Sequence, residues 1–332
     1  MSDPSGKLVV KPCTQAELDF YESVRAAHPS ILPFIPAYFG KLELGGDTAR
    51  APGALILPGD TAPQQPAQDQ TASVPVVDHA WKSSGGGKIQ TELAIVLENI
   101  AAGFTRPNIL DVKLGARLWD DNSPQEKRDK LDKVAEESTS KPLGWRIAGM
   151  KAYRGTTGHE EQGLNANGYK VFDKHYGRGL RVDNVHEGFM EYFGLERGVK
   201  PTGSIKKVIN RFIEDLEGLK SALEAEESRM YSASILLVFE GEATTLQQAF
   251  TKEAGMVAAY KTAEGQGKPS VESNEAEDDG DAGEEGKPVF PPIQALRLID
   301  FAHAQWTQGQ GPDENLLHGV RNVLKTLKGL LA

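Results

Sequence analysis

Apolar residues recur along this chain in two rhythms, and the switches between them mark out its elements. Leu8-Val9-Val10 predicts a short strand over 7–10. Leu18, Tyr21 and Val24 then recur at helical spacing, which predicts a helix over 15–27. Pro29, Pro33 and Pro36 break it into an irregular connection. Strands are expected over 38–44 and 54–57, separated by Gly45-Gly46, and over 93–98 and 108–114. A charged helix is expected over 124–138 and the start of another strand over 151–154. Residues 185–193 and 204–228 read as helices, the second from Ile205, Val208, Ile209, Phe212, Leu216 and Leu219. Strands over 232–241 and 296–301 and an amphipathic helix over 315–331 complete the pattern. Helices and strands alternate without a regular βαβ period, so the fold class expected is α+β.

Two segments follow neither rhythm. Residues 58–87 are rich in Pro, Gln, Ser and Gly and are expected to form a flexible loop. Residues 262–288 carry Gly, Ser, Asp and Glu with a lone Val271, too little apolar surface to fold, and are expected to be disordered. This second segment changes the meaning of the charge. The 332 residues carry 37 Lys+Arg against 47 Asp+Glu, a net −10. Nine acids and one base fall between 264 and 286, so most of the excess sits there. Residues 150–211 run the other way, with eleven bases against seven acids, which suits a polyanionic ligand. A single cysteine, Cys13, excludes an internal disulfide framework and a cysteine-rich zinc site, and a reducing compartment is expected. The longest apolar run, at 234–239, is far short of the roughly 20 residues that span a bilayer. No integral membrane segment is therefore expected. The opening MSDPSGKLVV has no signal-peptide pattern, so a soluble intracellular protein is expected.

Few motifs carry chemistry. Gly85-Gly86-Gly87-Lys88 fails as a phosphate loop, because Lys82 and Ile89 stand where Gly and Ser or Thr are needed. Asp111 and Lys113, two apart in a strand, share a face and offer a carboxylate and an ammonium together, with Gly115 allowing close backbone approach. They could serve a phosphoryl-transfer site or form an exposed ion pair. Asp300, ending an apolar strand before Phe301, suits a magnesium ligand or a turn cap. In the helix over 124–138, bases Lys127, Arg128, Lys130 and Lys133 alternate with acids, which fits a solvated face or a phosphate grip.

Taken together these segments resemble a known family. Pro107-x-x-x-Asp111-x-Lys113-x-Gly115 resembles the PxxxDxKxG signature of the inositol polyphosphate kinases. Ser232-Ala-Ser-Ile-Leu-Leu and Ile299-Asp300-Phe301 resemble its SSLL and IDF segments, and the 315–323 helix is also similar. The wording Pro-Asn-Ile-Leu-Asp-Val-Lys is closest to the multikinase branch. The resemblance implies a two-lobed protein-kinase-like fold with ATP between the lobes. Residues 1–105 would form the N-lobe and hinge, and 106–332 the C-lobe, with an inositol-binding helical segment near 121–142.

It also implies roles. Lys11, with Lys41 as rival, would meet the ATP phosphates, and Glu17 would be its helix partner. Glu98 and Ile100 would bind adenine through the hinge backbone, Leu236 would lie against the nucleotide, and Asp111 would hold the ribose. Lys113 would meet the transferring phosphate and Asp300 would bind Mg2+. Lys127, one of Arg128, Lys130 and Lys133, and Lys174, Arg178 and His303 would approach the inositol phosphate. The glycine-rich cover is reduced to Ser5-Gly6. The activity implied is ATP-dependent phosphorylation of inositol trisphosphate and tetrakisphosphate, with trisphosphate 3-kinase or hexakisphosphate kinase as the narrower alternative. A phosphoinositide lipid substrate, nuclear regulatory protein partners docking on the acidic segment, a monomeric state and residence in nucleus and cytoplasm are further implications.

Overall fold

The computed structural model describes residues 3, 5–43, 91–155, 163–265 and 290–332. The strand expected at 54–57, the loop at 58–87 and most of the acidic segment lie outside the described residues. In chain order the strands are β1 (Leu8–Pro12), β2 (Tyr38–Glu43), β3 (Leu93–Glu98), β4 (Pro107–Leu114), β5 (Trp145–Tyr153), β6 (Tyr169–Phe172), β7 (Ser228–Met230), β8 (Ser234–Glu240), β9 (Gln294–Ile299) and β10 (Ala304–Trp306). The helices are α1 (Gln15–Ala27), α2 (Gln125–Glu136), α3 (Ser140–Leu143), α4 (Lys174–Gly179), α5 (His186–Phe193), α6 (Gly203–Ala225), α7 (Ala243–Gly265) and α8 (Glu314–Leu331).

The strands form a three-stranded sheet ordered β1-β3-β2, a five-stranded sheet ordered β6-β5-β4-β8-β9, and a ribbon of β7 with β10. Every pairing is antiparallel. α1 begins where the pattern placed it because Thr14 caps it, its Oγ1 accepting from the Glu17 N–H at 3.2 Å. In the large sheet, Leu110, Val112 and Leu114 of β4 are fully buried. α5 and α8 cover this region of β4 and β5, and α6 packs on α8 and β9. The opposite face of β4, bearing Asp111 and Lys113, is turned toward the small sheet. Residues 99–106 connect the two sheets. Glu240, 1% exposed, fixes the end of that connection by accepting from the Thr105 and Arg106 N–H groups at 2.6 and 2.9 Å.

Several expected boundaries move, each for a local reason. The strand expected at 151–154 is β5, which starts at Trp145; it is buried on both faces along most of its length, so no alternation announces it. The strand expected at 296–301 stops at Ile299, because Asp300 turns into the left-handed region at φ 69°. The strand expected at 232–241 begins at Ser234, after a second left-handed residue, Ser232 at φ 58°. The helix expected to reach 228 ends at Ala225. Of the segment expected to be disordered over 262–288, residues 262–265 belong to α7, which continues to Gly265, and the rest lies outside the described residues. α7 itself escapes the pattern because, among its described side chains, only Leu246, Ala249 and Phe250, near its start, are buried. It is tied to α6 by Arg211, whose Nη1 donates to Glu253 at 3.0 Å. The short β6, β7, β10, α3 and α4 also went unread, each offering too few residues for a period to show.

Candidate active site

Four elements converge where the small sheet faces the large one. Lys11 leaves β1 and its Nζ donates to Glu17 Oε1 of α1 at 2.7 Å and to Asp300 Oδ1, just past β9, at 2.8 Å. Lys41, the rival lysine, is half-exposed and pairs with Glu43 at 2.7 Å instead. α1 is held in this position by aromatic packing: Phe301 stacks on Phe20 at 4.5 Å and meets Tyr21 edge-on at 5.3 Å. The Phe301 N–H also donates to Glu17 Oε1 at 3.3 Å. Burial pushes the Asp300 carboxyl up, but Lys11 and then Lys113 outweigh it and hold it below the ordinary carboxylate range. Burial likewise opposes the charge on Lys11, and Asp300 and Glu17 more than reverse that, lifting it above the ordinary lysine range. The Asp300 side chain keeps 35% of its surface exposed, and its second oxygen has no hydrogen-bond partner among the described residues.

Asp111 and Lys113 form the floor. In the register with β8, Asp111 stands opposite Leu236 and Lys113 opposite Ser234, so these four share the face toward the small sheet. Lys113 Nζ donates to Ser232 O at 2.6 Å, the carbonyl of the left-handed turn. Burial pulls the Lys113 ammonium down, opposed by Asp300 and Asp111. Asp111 is 4% exposed and burial pushes its carboxyl up, with Lys113 opposing. Its Oδ1 is buried without a partner among the described residues, so it is an acceptor awaiting a donor. Gly115 is required just beyond: at φ 97°, a Cβ there would come within 2.7 Å of Asn315 Nδ2. That amide clamps the turn after Lys113, its Oδ1 accepting from the Ala116 and Arg117 N–H groups at 2.9 Å each.

A basic wall adjoins the floor. Lys127 of α2 lies 3.3 Å from His303 Nε2, and His303 Nδ1 is paired with Asp120. Asp120 is itself fixed by Ser123 Oγ and the Asn122 N–H, each donating to its Oδ1 at 3.0 Å. Of the other bases on that helix, Arg128 turns away, donating through Nε to Ser123 O at 2.7 Å and stacking over Trp119. Lys130 and Lys133 are exposed, and Lys133 lies 3.8 Å from Glu137. Lys174 and Arg178 belong to α4, half-buried. Two cavities flank the connection between the sheets. One, of about 620 Å³, is lined by Leu8, Phe39, Glu98, Ile100, Phe104 and Ala295. The other, of about 320 Å³, includes Tyr21, Pro36, Tyr38, Glu98 and Arg297. Lys113 and Asp300 line neither of these two.

Residues 94–328 match the family model described as inositol polyphosphate kinase. The chain belongs to the inositol polyphosphate kinase family. It is therefore an inositol polyphosphate kinase, a phosphotransferase. It is 29% identical to the inositol polyphosphate multikinase of Saccharomyces cerevisiae, over 98% of this chain and 93% of that protein. The multikinase of Schizosaccharomyces pombe is 26% identical over 98% and 91%. Human inositol hexakisphosphate kinase 1 is 28% identical over 70% of this chain, which spans about half (52%) of that protein's length. Among solved structures, the S. cerevisiae multikinase Ipk2, in complex with ADP and Mn2+, superposes with a TM-score of 0.63 at 24% identity. The match covers 98% of this chain and 100% of that one, and shows the shared kinase-like fold.

Within this family member the structure adds residues that the motifs did not offer. Asp120 was invisible because nothing in a loop sequence links it to His303, 183 positions away. Arg146 has a readable signal, one of two basic residues with Lys151 in a largely apolar strand, but the sequence pattern starts that strand only at 151.

Proposed function

We propose that the chain is an inositol polyphosphate multikinase that uses ATP and Mg2+ to phosphorylate inositol trisphosphate and tetrakisphosphate. The observation that carries this reading is the convergence of Lys11, Glu17, Asp300, Asp111 and Lys113 beside Lys127 and His303. Multikinase relatives also align over nearly the whole of both chains, whereas hexakisphosphate kinases share only 70% of this one.

In this reading Glu98 and Ile100 offer hinge backbone to adenine, beside the larger cavity, and Leu236 packs on the nucleotide. The unpartnered Asp111 Oδ1 accepts from a ribose hydroxyl. Asp300 is the metal ligand. No cluster of three or more metal-binding side chains occurs among the described residues. A lone ionised carboxylate with an open oxygen fits magnesium, which is often held by one or two carboxylates plus phosphate oxygens. Bound there, the ion supplies neutralisation of phosphate charge. Lys11 and Lys113 add fixed positive charge where negative charge concentrates, and Lys127, His303, Lys174 and Arg178 orient the inositol phosphate. The carboxylates beside Lys113, Asp300 and Asp111, are assigned here to metal and ribose, which leaves a loose transfer in which positioning and charge do most of the work.

Product analysis with purified trisphosphate, tetrakisphosphate and hexakisphosphate, each with Mg-ATP, tests the assignment. Turnover of hexakisphosphate alone would transfer it to that branch. The same assay with phosphatidylinositol bisphosphate micelles tests a lipid substrate. Nuclear and cytoplasmic residence, a monomeric state and protein partners on the acidic segment extend the same proposal. Removing 266–286 should leave kcat intact and abolish partner capture if that segment is a docking tail.

A further inference from the structure

Two guanidinium groups lie beside the floor of the site with no ion-pair partner among the described residues. Arg146 stands directly opposite Lys113 in the β4–β5 register and is 7% exposed. Among the described residues its side chain makes one hydrogen bond, from Nη1 to Ser140 Oγ at 2.8 Å. Arg178 comes from α4, and its Nε is buried without a partner. Backbone contact brings the two elements that carry them together. At Gly177, next to Arg178, a Cβ would stand 1.9 Å from Ile147 O, and Ile147 is the neighbour of Arg146. Burial, and after it the charge on Arg178, pull the Arg146 guanidinium down to about 10, with Asp111 opposing.

Buried arginines are normally paired, and two unpaired ones side by side repel. Lys113 has Asp300 and Asp111 beside it, but neither carboxylate forms an ion pair with Arg146 or Arg178 among the described residues. The arrangement is short of an anion. Guanidinium forks match phosphate oxygens in pairs, and are more weakly hydrated than an ammonium, so a phosphate is the anion they suit. Adjacent strands hold opposite residues about 4.5–5.5 Å apart at Cα, so a group bound by Arg146 lies one strand from Lys113.

We propose that Arg146 and Arg178 form a subsite for one phosphomonoester of a free inositol polyphosphate, and that Arg146 is thereby a specificity-determining residue. This rests on the kinase reading above, which already placed Arg178 near substrate; Arg146 and the pairing are the addition. The test is steady-state kinetics on the full chain carrying Arg146→Met, with Arg146→Lys beside it. Losing charge-assisted hydrogen bonds should raise KM for inositol trisphosphate about 10- to 100-fold, leave KM for ATP within about twofold, and be partly rescued by lysine. The thermal shift given by inositol trisphosphate without ATP should shrink in parallel. A rise in KM for ATP instead would assign the pair to the nucleotide and overturn the inference. So would a fall in kcat with both KM values unchanged, which marks a structural role. A loss seen only with phosphatidylinositol bisphosphate micelles would also overturn it. Should Arg146→Met not fold, Arg178→Met at the half-buried partner is judged by the same criteria. Wild-type protein that turned over no inositol phosphate would sink the kinase reading, while the thermal shift would still judge the subsite.

Discussion

Replacing Asp300 by Asn separates the chemistry of this site from its architecture. The residue sits at φ 69°, and asparagine tolerates that left-handed conformation as well as aspartate does, so the backbone gains no strain. The lost ion pair with Lys11 is part-exposed, at 32% and 35% of the two side chains, and Lys11 keeps Glu17 at 2.7 Å. Solvent screening limits the stability cost to about 1 kcal/mol, a shift of roughly 1–2 °C in Tm for a chain of this size. Function should suffer far more. The carboxylate proposed to hold magnesium would become a neutral amide, and loss of one such electrostatic element costs on the order of 100- to 1,000-fold in kcat. The assay is kcat with Mg-ATP and inositol trisphosphate, alongside a thermal melt of the same preparation. A kcat within tenfold of wild type, in a protein that melts normally, would refute the assignment of Asp300. The pH dependence offers a second reading. Because the Asp300 carboxyl is held low in the folded chain, its contribution to stability is complete above the unfolded value near 4. It is lost as pH falls through the lower folded value, and Asp300→Asn should remove that part of the acid-induced decline.

Three other outcomes are expected. Lys113→Met should lower kcat by about 100-fold or more while changing KM for ATP less, measured by initial rates at saturating substrate. Asp120→Asn should loosen His303 and raise KM for inositol trisphosphate about three- to tenfold without changing KM for ATP; equal changes in both would argue against a tether for the substrate side. Gly177→Ala places a Cβ 1.9 Å from Ile147 O, and overpacking of this kind should cost about 1–3 kcal/mol in chemical denaturation. An unchanged midpoint would mean that α4 yields freely.

The elements most legible in the sequence were those with complete local signals. α1 was bounded correctly at both ends because Thr14 supplies a cap and Leu18, Tyr21 and Val24 supply a face. β3 was also placed correctly, as a short apolar run. β5 was not, because a strand buried on both sides has no polar beat to mark where it begins. The motif residues Asp111, Lys113 and Asp300 could be read as chemistry only as a set, since each alone fits an ion pair or a turn equally well. For the four bases of α2 the helical spacing could not choose. The packing brings Lys127 to His303 and commits Arg128 to the carbonyl of Ser123, a difference of one residue and about 100° of rotation.

The sequence by itself determined the α+β class, most helices and strands, and the residue types available for phosphoryl transfer, because propensity, periodicity and motif spacing are local properties. The tertiary structure alone decided which of them meet. Lys11 and Asp300 are 289 positions apart and lie 2.8 Å apart. Arg146 faces Lys113 only because β5 pairs with β4 in one register rather than another. A one-residue slip would turn each side chain to the other face of the sheet, and that choice is made by the whole core at once.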